Sequence, residues 1–376
     1  MTCLSVLMFN WRDLGHPEAG GAEKYLVTIA EGLAARGHRV TFRTAAYPGA
    51  LSDEVVAGVR YVRKGGHYSI YPRALAANLI GRYRPDVVVD VQNGVPYLSP
   101  LVRSGPVVNL VHHVHREQWP VVFGPKVARA GWWLESKLAP VVYRHRPYVA
   151  VSASTRNELA ALGVGAERVR IIHNGTDAVR HDEDLRSATP VVTVLGRLVP
   201  QKRVEIAMDA VAALSQEMPE LELRIVGSGY WEPQLREYAA MLGIEDRTSF
   251  EGHVSEHEKH RLLAESWVHA MPSLKEGWGL VVVESGVHGT PTVAFRAAGG
   301  PSDSIVDGRT GLLVDNDEDA QEFTAALRSL LTDEALRQAL SSEVATWVRQ
   351  FHWDESVARW EELLLETAGR SAPRTD

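Results

Sequence analysis

Residues 275–295 read KEGWGLVVVESGVHGTPTVAF. The stretch opens with Glu276 in a glycine-flanked turn, Glu276-Gly277-Trp278-Gly279, and runs into an apolar helical segment carrying a second acid, Glu284. A Gly-Thr-Pro turn and a short β run over 292–295 close it. With a helical rise of about 1.5 Å per residue over most of the interval, the two carboxylates lie roughly 12 Å apart. Leu280 and Glu284, four residues apart, share a helix face. The N–H groups at the helix start, on Gly279, Leu280 and Val281, lack acceptors within the helix and form a site for an anion such as a phosphate. Gly277 and Gly279 let backbone approach a ligand with no Cβ in the way. A carboxylate at each end and an anion site between them suit one long ligand: a sugar, a diphosphate and a ribose. The competing reading is a surface helix with incidental acids after a buried strand.

Composition narrows the classes. A chain of 376 residues exceeds one ordinary core and implies two or three domains. Hydrophobic residues at 45% and charged residues at 23% are those of a soluble globular protein. The net charge of −7 gives no whole-molecule field that favours nucleic acid. Cys3 is the only cysteine, which excludes an internal disulfide and a cysteine zinc cluster and fits a reducing compartment. The N-terminal apolar run has no basic residues before it and stops at Asn10-Trp11-Arg12-Asp13, so it does not read as a signal peptide. No apolar run approaches the ~20 residues of a spanning helix. The expected location is the cytoplasm, with peripheral membrane contact left open.

Outward from the opening stretch, strands and helices alternate. Strands are expected at 3–9, 39–44, 59–62, 86–91, 107–112, 148–151 and 169–172, with helices at 22–35 and 71–83. Residues 173–190 break the pattern and read as an interdomain linker. The alternation restarts with strands at 191–195, 222–226, 249–252, 268–271, 292–295 and 312–314, and helices at 204–216, 233–242 and 256–265. A loop is expected at 301–311 and helices at 317–331, 333–350 and 354–366, the last with Trp360, Leu363 and Leu364 on one stripe. Such alternation means α/β domains, each with a parallel sheet covered on both faces.

Further residues carry chemistry by position. Gly196-Arg197-Leu198 follows the first strand of the second half, with Lys202 five residues after Arg197. Ligands of open α/β sheets bind at such strand ends, and two cations there can offset the charge of a diphosphate. Gly227-Ser228-Gly229 ends another strand, but Glu232 stands where a dinucleotide fingerprint needs a third glycine, which weakens a nicotinamide reading. Gly20 and Gly21, at a helix start, can close over a phosphate or simply form the helix entry turn. His112-His113-Val114-His115 ends a strand; His113 and His115 have metal-ligand spacing, but no third ligand is evident. His257 and His260 fall one residue short of a zincin motif and read as a surface helix. Residues 121–147 hold Lys126, Arg129, Lys137, Arg144 and Arg146 against the single acid Glu135, interleaved with Trp132 and Trp133. Such a segment can lie on an anionic bilayer. The preferred reading is an ordinary helix whose tryptophans are core or acceptor pocket.

The Glu–seven residues–Glu pattern, with its turn, helix and following Gly-x-Pro, resembles the signature of the family-four glycosyltransferases, retaining enzymes of GT-B architecture. The resemblance covers nearly the whole chain, most strongly 191–314. It implies two Rossmann-like αβα domains facing across a cleft, with a C-terminal helix crossing back to the first. The expected bounds are 1–180 with 354–376 for an acceptor domain and 190–353 for a nucleotide-sugar donor domain. It implies hexosyl-type transfer from a nucleoside-diphosphate sugar to an acceptor hydroxyl, with no metal and no other cofactor. The acceptor class stays open among small molecules, lipid-linked groups and saccharides. Implied roles are Glu284 on the ribose, Arg197 and Lys202 on the diphosphate, and Glu276 and His112 or His113 on the sugar. Gly20, Gly21, Gly227, Gly229, Gly277, Trp278, Gly279, Leu280 and Val281 lie along the donor, and His253 and Val254 near its base. Trp11, Asn93 and His113 are acceptor contacts. Trp278 stands where the family often has Phe. A non-catalytic sugar-nucleotide-binding module and an epimerase of the same shape are the alternatives.

Overall fold

The run Val87–Gln92, VVVDVQ, is buried at every position, as a strand covered on both faces requires. The computed structural model describes residues 3–81, 83–177, 185–315 and 320–370. The chain divides into two units, Met1–Gly175 with Trp353–Asp376, and Thr176–His352.

In the first unit the order is β1 (Ser5–Phe9), α1 (Gly21–Ala35), β2 (Arg39–Thr44), β3 (Asp53–Val56), β4 (Val59–Arg63), α2 (Ile70–Leu79), β5 (Val87–Gln92) and β6 (Val107–Val111). Then come α3 (Gln118–Val122), α4 (Pro125–Trp133), α5 (Ala139–Val142), β7 (Tyr148–Ala150), α6 (Ala153–Ala161) and β8 (Val169–Ile171). The sheet runs β3-β4-β2-β1-β5-β6-β7-β8, parallel except for β3.

The second unit holds β9 (Val191–Leu195), α7 (Val204–Leu214), β10 (Glu222–Val226), α8 (Glu232–Leu242), β11 (Thr248–Gly252), α9 (Glu256–Glu265) and β12 (Val268–Met271). It continues with α10 (Leu280–Val287), β13 (Thr292–Phe295), α11 (Pro301–Ser304), β14 (Gly311–Val314), α12 (Ala320–Thr332) and α13 (Glu334–Trp347). Its six strands are ordered β11-β10-β9-β12-β13-β14, with parallel pairings throughout. Met208, Val211 and Leu214 of α7 and Phe323 and Leu327 of α12 close one face of this sheet over Leu223, Ile225 and Phe295.

The last helix, α14 (Trp353–Thr367), returns to the first unit and lies on α1. Gly32 allows the approach: a Cβ there would sit 2.4 Å from a Val357 methyl. The Trp360 indole donates to the Tyr25 hydroxyl at 2.6 Å, and Glu361 pairs with Arg36 at 2.8 Å and meets His38 at 2.9 Å.

Several elements differ from the sequence reading. The strand at 59–62 is one arm of a hairpin whose other arm, β3, carries no clear alternation. Its turn, Ala57-Gly58, has two positive φ values, 48° and 79°, as hairpin turns of this length require. Alanine is an unusual first residue for such a turn, so the signal is weak. The helix expected at 71–83 ends at Leu79, and the loop expected at 301–311 begins with the single turn α11. In the expected linker, residues 178–184 lie outside the described residues, as do 316–319 at the start of the helix expected at 317–331. The far end of the linker is fastened to the second unit, where Arg186 donates to Thr290 Oγ1 at 2.8 Å and to the carbonyls of His288 and Gly289 at 3.0 and 3.2 Å.

Candidate active site

Backbone hydrogen bonds hold the turn after β9. Gly196 N–H donates to Val226 O and Leu198 N–H to Ser228 O, each at 3.0 Å. The Gly-Ser-Gly turn presses against it. Gly227 has φ of +124°, and a Cβ there would lie 1.9 Å from Gly196 O. A Cβ on Gly229 would lie 2.1 Å from Leu198 O. These glycines therefore serve a close approach of one protein turn to another, which carries the Arg197 backbone between them. A small pocket lies here, lined by Arg197, Lys202, Met271 and Ser273 among others. The Gly227 N–H donates to Gly252 O at 2.8 Å, so His253 and Val254, next along the chain, start beside the same turn.

Two loops are stitched together across this pocket. Arg203, itself in the left-handed region at φ 49°, donates to Pro272 O at 2.8 Å and to Ser273 O at 3.3 Å. Leu274 N–H donates to Gln201 O at 2.9 Å. Lys202 and Glu276 form an ion pair. The residues expected on the diphosphate and on the sugar are thus in direct contact. Arg203 was not singled out from sequence; an arginine that ends a short turn carries no pattern of its own.

Glu276 is fixed by its backbone, which donates to Ala298 O at 2.9 Å and accepts from Gly300 N–H at 3.1 Å. Gly279, at φ 84° and ψ 60°, caps α10 and sets the first amides of the helix, on Leu280 and Val281, outside the intrahelical ladder. The Trp278 indole turns inward: it is 2% exposed and meets the Phe351 ring edge-on at 5.0 Å. Leu280 is also buried and Val281 half-buried.

Glu284, 4% exposed, is one helical turn further on. Its Oε1 accepts from Lys259 Nζ at 2.8 Å, and the same ammonium reaches both oxygens of Glu256 at 3.0 and 2.9 Å. The surface reading holds for His257, which is exposed, but not for His260: it and Lys259 face inward, and His260 Nδ1 lies 2.8 Å from His288 Nε2. Lys259 stands on an i, i+3, i+4 stripe with Leu262 and Leu263, and a charge on such a stripe is the signal that could have found it.

In the first unit the Gly20-Gly21 loop is already tied. Glu23 accepts from Gly20 N–H at 2.9 Å, from Arg12 Nε at 3.2 Å and from Asn10 Nδ2 at 3.4 Å. The Gly20 amide, expected to close over a phosphate, is therefore occupied by the acid three residues on, as in a capping box. Asn93 Nδ2 donates to Asn10 Oδ1 at 2.9 Å, which joins the expected acceptor residue to the same network. Trp11 is covered, with His67 stacked on its ring at 4.1 Å and the Arg12 guanidinium 4.1 Å from its centre.

The histidines after β6 separate. His112 is buried, its Nε2 lacks a hydrogen-bond partner among the described residues, and burial lowers its pKa to about 3. It is a neutral ring, 5.5 Å edge-on from Tyr25. His113 is half-buried, with Nε2 3.1 Å from Gln118 Oε1 and its ring 4.2 Å from that of His115. His115 is held by Glu135, which accepts from its backbone N–H at 3.1 Å and lies 2.9 Å from its Nδ1. Glu135 is fully buried in the π turn Leu134–Leu138 and also accepts from the Trp119 indole at 2.8 Å. No cluster of three or more His, Cys, Asp or Glu fit to hold a metal ion occurs among the described residues. Of the tryptophans expected as core or pocket, Trp132 packs on the core while Trp133 is 55% exposed.

Comparison with known proteins agrees along the chain. Residues 19–180 match the family described as Glycosyltransferase Family 4, and 176–347 match glycosyl transferases group 1. A D-inositol 3-phosphate glycosyltransferase of Nocardioides sp. is 29% identical, over 91% of this chain and 84% of its own length. A GDP-mannose-dependent alpha-(1-6)-phosphatidylinositol monomannoside mannosyltransferase of Mycolicibacterium smegmatis is 29% identical, over 93% and 95%. Among solved structures, sucrose-phosphate synthase from Thermosynechococcus elongatus superposes with a TM-score of 0.81 at 21% identity, over 96% of this chain and 98% of that one, and shares the fold. The chain belongs to the family-four glycosyltransferases of GT-B fold.

Proposed function

We propose that this glycosyltransferase moves a hexose from a nucleoside-diphosphate sugar to an acceptor hydroxyl with retention of anomeric configuration. The observation that carries the reading is the Lys202–Glu276 ion pair beside the pocket under Arg197, just before the open amides of α10. The second unit takes the donor, with Glu284 on the ribose, Arg197 and Lys202 on the diphosphate and Glu276 on the sugar. The first unit takes the acceptor, with Trp11, Asn93 and His113 as contacts. His112 meets the sugar as a neutral ring that donates or accepts but carries no charge.

The anomeric C–O bond to the diphosphate breaks and its electron pair stays on the leaving phosphate, where Arg197 and Lys202 offset the charge. The acceptor oxygen bonds to the same face, and its proton passes to the departing phosphate oxygen. Glu276 and Glu284 are assigned to opposite ends of the donor, which argues against a double-displacement pair of carboxylates at about 5 Å. Cationic side chains and helix amides carry the role a divalent ion would otherwise fill. Relatives named for inositol 3-phosphate and for a phosphatidylinositol mannoside support a polyol or lipid-linked acceptor. No described helix is long and apolar enough to cross a membrane. A cytoplasmic protein that touches the bilayer through 121–147 fits the exposed Val121, Val122, Val127, Trp133 and Val141 beside exposed Lys126, Arg129, Lys137 and Arg144.

Labelled nucleotide sugars, incubated with and without EDTA and separated into transfer, hydrolysis and epimerised products, test the reading. Transfer that survives EDTA is expected. Epimerised donor as the sole product, or binding with no turnover, supports the epimerase or the binding module instead. Transfer abolished by EDTA and restored by magnesium overturns the metal-free mechanism.

A further inference from the structure

We infer that Lys259 is a positioning residue for the donor: it orients the Glu284 carboxylate and ties it to the loop that follows β11. The inference rests on the reading of Glu284 as the ribose carboxylate.

Three observations converge on it. Lys259 is 9% exposed on the inward stripe of α9, and its ammonium lies 2.8 Å from the buried Glu284. A lysine ammonium has three protons, and here they serve acids on two elements. The branch to Glu256 reaches an exposed side chain and contributes little by itself, whereas the branch to Glu284 joins two buried charges. Glu256 opens α9 immediately after Ser255, whose Oγ accepts from Glu258 N–H at 3.2 Å, and Ser255 follows His253-Val254. Lys259 therefore links the strand end expected near the base to the carboxylate expected on the ribose.

The chemistry follows from that link. A carboxylate accepting from two vicinal hydroxyls must keep its charge and its plane. The ammonium on Oε1 supplies the counter-charge and holds that oxygen in place. Loss of the ammonium leaves a buried charge with weaker compensation and a carboxylate less firmly oriented. Binding then fails at the ribose hydroxyls and not at the phosphates, which separates this role from general support of the fold.

Calorimetric titration with uridine and guanosine diphosphates and with their 2′,3′-dideoxy counterparts reads it. The wild type is expected to prefer the ribose form of its diphosphate by roughly tenfold. In Lys259→Met the preference falls to within about twofold while the dideoxy affinity is kept, and Lys259→Arg restores it. If Lys259→Met keeps the wild-type preference, the inference falls and the ribose assignment stands. If the wild type shows no preference, the ribose assignment fails and takes the inference with it. Should Lys259→Met not fold, Lys259→Met/Glu284→Gln leaves no ion pair to break. It should bind every probe as Glu284→Gln does, and a further loss in the double variant overturns action through Glu284.

Discussion

Lys202 and Glu276, 74 residues apart in the chain, are joined in an ion pair that bridges the turn after β9 and the turn before α10. Both side chains keep some exposure, 25% and 15%, so a ligand can reach the pair. On the proposed donor assignment, a diphosphate entering the pocket competes with Glu276 for Lys202, and the arriving sugar gives Glu276 hydroxyl donors in return. Lys202→Ala and Arg197→Ala are each expected to lower turnover by on the order of 10²–10³, since both act on leaving-group charge. Steady-state rates within a factor of two of wild type in either variant remove the diphosphate assignment.

The same pair separates the two glutamates. Free nucleoside diphosphate contains the ribose but no sugar. Its affinity should fall about tenfold or more in Glu284→Ala, which loses a charged hydrogen bond of roughly 1.5–3 kcal/mol. In Glu276→Ala the affinity should hold or rise, because Lys202 is released to the phosphates. Calorimetry of both variants decides it: the opposite pattern reverses the donor along α10.

Gly227→Ala and Gly229→Ala drive a Cβ into the backbone carbonyls of Gly196 and Leu198. Each is expected to cost at least about 1–3 kcal/mol and to weaken nucleoside diphosphate binding, because the Arg197 turn must move. Gly243, at φ +67° with open space around it, is the control. Gly243→Ala should cost about 1–2 kcal/mol from backbone strain and leave affinity unchanged. Denaturant melts paired with titrations check both arms, and unaltered binding in Gly227→Ala would falsify the bracing role.

His269 is buried in β12 beside Thr292, and burial, with a smaller contribution from the Lys202 charge, lowers its pKa from 6.5 to about 3. The unfolded chain takes up this proton near 6.5 and the folded chain does not until about 3. The stability due to the neutral ring is therefore full above 6.5 and is lost as pH falls from there toward 3. Between pH 7 and pH 5 the loss is on the order of 2 kcal/mol. Urea melts of His269→Asn should show a shallower acid slope than wild type; equal slopes would exclude the buried neutral ring as their source.

Vesicle sedimentation tests the face around α3 to α5. Phosphatidylcholine vesicles containing phosphatidylglycerol are expected to carry the protein down, less so at high salt, and pure phosphatidylcholine vesicles are not. Arg129→Glu/Lys137→Glu and Trp133→Ser should each reduce the bound fraction. Equal binding to both lipids, or none, rejects an anionic bilayer as the partner. Cell fractionation should find the wild type in the cytosolic and inner-membrane fractions; recovery outside the cytoplasm overturns the location.

The sequence by itself determined the alternation of strands and helices, because each strand's apolar run and each helix's stripe is a local pattern of period 2 or 3.6. It also placed Arg197, Lys202, Glu276 and Glu284 at strand ends and a helix start, where spacing along one element decides position. What meets what was left to the tertiary structure. Lys259 finds Glu284 from 25 residues away, and Asn93 finds Asn10 from 83. Trp278, written like a ligand residue, turned into the core against Phe351. The hairpin of β3 and β4 escaped because its turn begins with alanine. Periodicity along a chain fixes the face on which a side chain lies, but partners on different elements are chosen by packing, and no spacing rule encodes that choice.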